Sequence, residues 1–515
     1  MDLFCKANRC QILHELRNAP QPRLVSFITM KNINSKRVFR KNINEPDPDG
    51  DYVLYWMQIN RRFHYNFALE YAVGWANKLG KPLLIFEAIS CDYPWATVRA
   101  HTFIMQGMKE HLEYAENQPG RYLSFVEGSS GQYESLLVKL AQNACILITD
   151  EYPVFIMRER NKRLPEKLGC SYFTVDSNGL IPLGLTDKAP YSAYIFRKTM
   201  QRYFMDSYTN PPENLPLDSL ENLRKPDLPD EWFDDLPSAR QALDDIPTFT
   251  ARIDIDQQVQ PIAWKGTRAA GLGMLGRFIQ NGLMRYGKKR NEPDEDATSN
   301  LSPWLHFGKI SEFEVVRTVL NEQPENWELD QIVYNKGSRD GFFNGDENID
   351  AYLDEVITWR ETGFHHAHHE PDYDRYESLP EWARTTLDKH RSDPREWIYE
   401  LDEFIQARTH DEVWNAAQNQ LRTDGLIHNY LRMLWGKKIL EWTPDPETAI
   451  EIMIEMNNRF AIDGRDPNSY SGIFWCLGRF DRAWQERPIY GKIRYMTSES
   501  ARKKLDMEGY LKKYS

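Results

Sequence analysis

The sequence predicts two unlike halves: an N-terminal α/β domain on a doubly wound parallel sheet of five or so strands, and an all-α C-terminal domain. Three observations predict this. Short β-rich runs alternate with helical stretches over residues 23–180, the pattern of βαβ units covered on both faces. Residues 262–515 read as helices throughout, with breaks near Pro324, Pro371, Pro394 and Pro444. Between the halves, residues 211–261 hold eight prolines, and residues 211–256 hold twelve acids against four bases.

In chain order, residues 1–22 form a leader with no further reading. Their opening, MDLFCKANRC, lacks the apolar core of a signal peptide, which predicts a cytoplasmic protein. No run of about 18 apolar residues occurs, so no membrane partner is expected. The α/β domain spans 23–195. Its strands are RLVSFITM, YVLYWM, PLLIFEA, RYLSFVEG, CILITD and YFTVDS, and the stretch FHYNFALEYAVGWANKLG reads as a helix stopped by Gly80. No G-x-G-x-x-G follows the first strand, so the usual dinucleotide fingerprint is missing. Residues 196–261 read as a solvated acidic, Pro-rich connector, with a short helix near DEWFDDL. It carries most of the net charge of −12. That charge excludes a uniformly basic nucleic-acid coat but not a local groove: residues 479–515 hold ten bases and five acids.

The six cysteines, with no C-x-x-C pair, read as reduced buried thiols rather than ligands of zinc or a cluster. Most of the 15 tryptophans lie in the second half.

Three stretches of the helical half carry candidate chemistry. In Thr298-Ser299-Asn300-Leu301-Ser302-Pro303-Trp304, Ser302 reads as an N-cap and Pro303 as the first helical residue; clustered hydroxyls and free amides there suit a diphosphate, or merely cap a helix. In WNAAQNQLRTDGLIHNYLRMLWGKKILEW, positions 428, 432, 435, 439 and 442 share one helical face, with Trp435 and Trp442 about 10 Å apart along the axis. Such indoles are core, or a path for hopping electrons. The third stretch, NNRFAIDGRDPN, is a polar turn between apolar helices whose groups must satisfy one another or a ligand. Arg432 and Asp463 are plausible partners there.

SNLSPWLHFGKIS, WNAAQ…HNYLRMLWGKKILEW, NNRF-x-x-DGRDPN and ERPIYGKIRYM, in this order, resemble the class II cyclobutane pyrimidine dimer photolyases of the photolyase/cryptochrome family. The likeness covers nearly all of 262–515 and extends more weakly through YVLYWMQINRR. It implies a helical domain holding FAD in a folded form, active as FADH⁻, and an antenna chromophore that the sequence does not identify. Thr298, Ser299, Asn300, Leu301 and Ser302, with Tyr286, would contact the diphosphate and ribityl chain. Asn457 would face the flavin N5, and Arg432 and Asp463 would pair beside the ring, with Asp466 in the same loop. Trp435, Trp414 and Trp442 would relay electrons from the surface. Glu361 would hydrogen-bond the dimer, Met433 and Trp475 would pack on it, and Asp481, Arg482 and Trp484 would fill the hole it leaves in the DNA. The partner would be UV-damaged DNA, bound by a monomer, and the activity light-driven splitting of the dimer by electron transfer.

The chain departs from the family wording after Arg360-Glu361, where His365, His366, His368 and His369 cluster. Their spacing reads as a polar surface turn rather than a metal site. A histidine beside the substrate would instead favour another lesion, such as a (6–4) photoproduct. A non-DNA substrate and a cryptochrome-like blue-light photoreceptor are the remaining readings; the latter is disfavoured by the short tail after the last motif.

Overall fold

The computed structural model describes residues 33–515, so the strand expected at RLVSFITM, the 1–22 leader, Cys5 and Cys10 lie outside the described residues. Six strands form one sheet: β1 (Val38–Arg40), β2 (Tyr52–Met57), β3 (Leu83–Ile89), β4 (Arg121–Val126), β5 (Ala144–Asp150) and β6 (Ser171–Val175). The order is β1-β6-β5-β2-β3-β4, parallel throughout except for the antiparallel edge strand β1, which the sequence did not suggest.

Central β2 is buried along its whole length, as a strand covered on both faces must be. Val53, Tyr55 and Met57 join the core shared with the helical half, whereas Tyr52, Leu54 and Trp56 join a separate core on the opposite face. The helices that carry the argument are α1 (Phe67–Leu79), α2 (Val98–Ala115), α3 (Gln132–Gln142), α4 (Phe155–Arg163), α5 (Ala193–Thr209), α6 (Ser302–His306), α7 (Glu312–Leu320), α8 (Arg360–His369), α9 (Glu412–Asp424), α10 (Asn429–Glu441), α11 (Pro446–Phe460), α12 (Pro467–Trp475) and α13 (Glu508–Tyr514). Asn66 caps α1 by accepting from Ala68 N and Leu69 N, and Gly80 ends it at φ +63°, a conformation glycine adopts without strain.

The stretch between the halves is not a solvated connector. The 195/196 boundary falls inside α5, whose Phe196, Met200 and Phe204 are buried, and Arg197 pairs bidentately with Asp354 of the helical half. Farther on, Leu217, Leu220, Leu228, Leu243 and Ile246 pack into the α/β cores. Apolar residues spaced between the acids bury themselves and leave the charge outside, which a count of charge and proline cannot reveal. The DEWFDDL helix is one 3₁₀ turn, Asp230–Trp232.

The two halves share buried polar contacts. Arg62 bonds Ser177 O of the α/β half and Gly308 O of the helical half. Gly308 sits at φ +61°, and a Cβ there would lie 2.5 Å from Asn60 Cα, so only glycine permits the approach. On α2, Arg99 donates to Leu421 O at 3.2 Å, to Gln260 O at 2.9 Å, and to Arg422 O and Phe460 O. These carbonyls include the otherwise open C-terminal ends of α9 and α11. Cys91, Cys145, Cys170 and Cys476 are free and buried.

Candidate functional site

Two adjoining cavities open in the helical half. The first, about 530 Å³, lies between the Thr298–Ser302 loop, the start of α10 and the C-terminal helix α13. Thr298, Ser299, Asn300, Leu301 and Ser302 all line it, with Tyr286, Arg290 and Arg432. Asn300 stands at φ +52°, which asparagine tolerates better than most residues. Ser302 is not the N-cap: Leu301 is, without a side-chain cap bond, so Ser302 is the first helical residue and Pro303 the second. The Ser302 hydroxyl is thereby left to the cavity wall. Tyr286 is buried edge-to-face against Tyr352, with the Arg290 guanidinium 5.5 Å over its ring.

Several polar groups around this cavity await a partner. Neither ring nitrogen of His428 has one, and burial pulls its pKa down to about 4, so the ring is neutral near pH 7. Asp463 lies 4.0 Å from Arg432 and leaves Oδ1 unpaired although buried. Buried polar atoms without partners are costly inside a protein, and a ligand rich in donors and acceptors removes the cost. Arg290, Arg432 and Lys513 line the same cavity among Asp294, Glu295, Asp296, Glu355 and Asp424, so the cations offer an anionic group local contacts within a wall of mixed charge. These residues fit FAD.

The second cavity, about 830 Å³, shares Arg290, Glu355 and Asn429 with the first. Met433, Trp475, Trp359 and Trp484 line it, and Arg487, Arg494 and Lys504 stand at it. Trp475 carries Lys437 Nζ at 4.9 Å and Arg494 Cζ at 5.3 Å from its ring centre. Lys437 is wholly buried, donates to Cys476 O at 2.7 Å, and has its amine drawn down to about 8 by burial. Asp481 and Arg482 flank the cavity without lining it. Burial alone would raise the Asp481 pKa, but the bidentate Arg494 pair and the Arg482 amide hold it below the usual range. Trp484, 40% exposed, is stacked by Arg494 at 4.3 Å and Arg482 at 5.1 Å.

Glu361 is not in this cavity. Its carboxyl turns to the α/β half, where Oε1 accepts from Leu180 N at 2.8 Å and Oε2 from Ile181 N at 3.0 Å. Burial and the charge of Glu312 push its pKa well above the ordinary range. The carboxylate that lines both cavities is Glu355, paired with Arg290 at 2.5 Å. It stands in a π-helical turn over Asp354–Trp359, which shifts the direction of the residues that follow relative to a regular α-helix. Asn457 is also displaced: it lines neither cavity and donates to Ser469 Oγ at 2.9 Å. Asn468, at the start of α12, lines the second cavity instead. Asp466 faces the α/β half, accepting from Tyr152 Oη at 2.9 Å with His306 Nδ1 at 3.2 Å, and caps α12. Glu355, five residues before Arg360 in LDEVITWRE, carried no sequence signal of its own; for Asn468 the missed signal was the asparagine that follows the proline of DGRDPN.

The three indoles are close. Trp414 stacks on Trp435 at 6.4 Å and 3°, and meets Trp442 at 5.9 Å and 66°. Trp414 Nε1 donates to Trp435 O, and Trp435 Nε1 to Gln418 Oε1. All three are buried, so none of them is the surface terminus the sequence reading required.

The histidine cluster is not a surface turn. It forms the last turns of α8, with His365 fully buried against Phe196 and hydrogen-bonded to Thr186 at 2.9 Å. Burial pulls the pKa of His365 and of His366 down to about 3. No histidine lines the second cavity, and among the described residues no group of three or more His, Cys, Asp or Glu is placed to hold a metal.

A third, partly open space of about 60 Å³ sits at the carboxyl ends of β2 and β3, lined by Arg61, Tyr93, Phe155, Arg160 and Arg465 among others. That is where ligands of doubly wound sheets bind.

No protein-family model matches the chain. Against known proteins, the chain is 34% identical over 484 residues to the deoxyribodipyrimidine photo-lyase of Methanothermobacter thermautotrophicus, covering 93% of this chain and 98% of that protein. The chain belongs to the photolyase/cryptochrome family. The photo-lyase of Oryza sativa subsp. japonica is 32% identical over 481 residues, covering 90% of this chain and 87% of the relative. Cryptochrome-2 of Arabidopsis thaliana matches only 33% of this chain, at 28% identity. The fold of this photolyase-family chain is also that of a class III photolyase from Agrobacterium tumefaciens, with a TM-score of 0.58 and 17% identity over 90% of this chain and 86% of that one.

Proposed function

We propose that this photolyase-family enzyme is a class II type photolyase that repairs cyclobutane pyrimidine dimers in UV-damaged DNA, acting as a monomer. One observation carries the reading: an aromatic-walled, cation-lined cavity shares Arg290, Glu355 and Asn429 with the cavity suited to FAD. When bound, reduced FAD supplies the light-driven electron that opens the cyclobutane ring and is then recovered.

The chain's own residues do the rest. Arg487, Arg494 and Lys504 hold the phosphate backbone, a salt-sensitive contact that carries no sequence information. Trp475 and Met433 pack on the extruded dimer, and Trp484 with Asp481 and Arg482 occupies the space it leaves. A lesion that stacks poorly costs less to extrude, which favours it before any contact forms. Glu355 hydrogen-bonds the dimer from the shared wall; burial raises its pKa despite Arg290, so it holds a proton more readily than an exposed acid. Asn468 takes the place expected of Asn457 beside the flavin, and Trp435, Trp414 and Trp442 form the photoreduction path. The antenna pigment is assigned to the third space, beside β2 and β3, where a fused-ring pigment requires Phe155 and Tyr93 to move aside.

The test is light-dependent repair by the chemically reduced holoenzyme on oligonucleotides carrying one thymine dimer, with a (6–4) lesion in parallel. Reversal of the dimer only in light is expected. Repair of the (6–4) lesion instead, or flavin binding without any reversal, overturns the reading and favours another lesion or a photoreceptor. The absence of histidine from the second cavity argues against (6–4) chemistry.

A further inference from the structure

Trp414, Trp435 and Trp442 are 0%, 3% and 2% exposed, so a path through them ends inside the protein. What covers Trp442 is the segment 397–410, a short helix with its flanking turns that carries four more rings; one of them, Phe404, stacks on Trp442 at 6.5 Å. Tyr399 lies 5.7 Å from Trp442 at 77°, and its backbone N–H donates to Trp442 O at 3.1 Å, which fixes the spacing. Its phenol oxygen lies 2.7 Å from His410 Nδ1, within hydrogen-bond distance, and accepts from the His410 backbone N–H at 3.0 Å. The His410 ring itself stands 5.0 Å from Trp442 and is exposed to solvent. Trp397, 44% exposed, stacks on His410 at 4.6 Å and lies parallel to Tyr399 at 6.5 Å.

We propose that Tyr399 and His410 are the outer end of the electron path, a proton-coupled donor that re-reduces Trp442. The proposal rests on the reading of the three indoles as the photoreduction path, with light-excited oxidised flavin as the oxidant that draws the first electron inward. Trp442, left one electron short as a radical cation, takes one electron from Tyr399. In the same step the Tyr399 O–H bond breaks and its proton passes to His410 Nδ1. The products are neutral Trp442, a neutral tyrosyl radical and an imidazolium that returns its proton to water. An oxidised phenol is a strong acid, so the electron leaves readily only when a positioned base takes the proton. His410 Nδ1, 2.7 Å from the phenol oxygen, is that base in the tautomer that leaves it without a proton, and the His410 backbone N–H still holds the oxygen afterwards. Proton loss makes the back reaction difficult, leaving an oxidised site at the surface for a thiol reductant to quench.

The experiment is flash excitation of the oxidised holoenzyme followed by time-resolved EPR, in H₂O and D₂O. A tryptophanyl signal that gives way to a tyrosyl signal, more slowly in D₂O, is expected. Tyr399→Phe should lose the tyrosyl signal and return the electron from a tryptophanyl radical. His410→Phe keeps a stacking ring but no base, and should slow tyrosyl formation by about 100-fold. Trp397→Phe should keep the tyrosyl signal. Thermal unfolding of each variant checks that the fold survives. A wild-type signal that stays tryptophanyl, or a Tyr399→Phe trace identical to wild type, overturns the proposal. Trp442→Phe separates the two failures: normal photoreduction there sinks the indole path itself, whereas impaired photoreduction with an unaffected Tyr399→Phe sinks only the outer donor.

Discussion

Trp475→Ala should separate recognition of the lesion from attachment to DNA. Trp475 is the indole on the second cavity that two cations brace, Lys437 from behind and Arg494 from the side. Stacking of a base on an aromatic side chain is worth about 1–3 kcal/mol by alanine substitution. At about 1.4 kcal/mol per decade, affinity for a dimer-containing duplex should fall about 5- to 150-fold. Affinity for undamaged DNA rests on Arg487, Arg494 and Lys504 and should hold, as should the salt dependence of that binding. The substitution also strips buried Lys437 of its aromatic partner, so the melting point should fall; Trp475→Phe, which keeps a ring, should lose less of both. Equilibrium titration of damaged and undamaged duplexes, with thermal unfolding alongside, measures all of this. Equal weakening on both duplexes would mean that Trp475 shapes the protein and not the lesion contact, and the assignment of the cavity would fall with it.

Trp435→Phe should abolish photoreduction of oxidised enzyme while chemically reduced enzyme still repairs; matched losses in the two assays would make the residue packing alone. Gly266→Ala places a Cβ 1.8 Å from Phe103 O, a backbone atom that cannot swing away, and should cost at least about 1–3 kcal/mol in urea unfolding. A midpoint unchanged from wild type would contradict that packing. Glu361, raised by burial and by Glu312, keeps a proton in the folded state that the unfolded chain gives up, so its contribution to stability is present at low pH and lost as pH rises through its folded titration. Glu312, beside it, is itself raised by burial, so Glu312→Gln removes one of two linked titrations and should flatten the decline in stability as pH rises above the ordinary carboxylate range; an unchanged slope would show that the pair does not titrate there.

The sheet was legible because its strands alternate with helices and are apolar along their length, the pattern that double coverage imposes. That Thr298–Ser302 share one cavity wall, that the three indoles pack together and that Met433, Trp475 and Trp484 share another wall was legible because each set lies in short motifs whose geometry is largely local. Glu361 was misplaced because it was matched to the family's glutamate by its wording alone. Wording does not record which way a side chain turns, and here a π turn over Asp354–Trp359 precedes it. Asn457, on the last turn of α11, and Asp466, in the turn that follows, were misplaced because their directions depend on contacts with Ser469 and Tyr152 that lie elsewhere in the sequence. The burial of residues 211–261 was hidden because charge and proline mark what a segment exposes, not what its scattered leucines and isoleucines cover.

Arg99 gives the two halves a relation that the word domain conceals. Its guanidinium closes the open carbonyl ends of α9, which carries Trp414, and of α11, which leads into the Asp463–Asn468 loop. That loop is also pinned from the α/β side, with Tyr152 on Asp466 and Arg465 on Trp95 O. The α/β half is therefore a clamp on the back of the two large cavities. A helical fragment cut free near residue 262 would contain every residue of those cavities and yet leave bare the helix ends that hold them in shape. Dissecting the chain into its α/β and helical pieces would sever the brace.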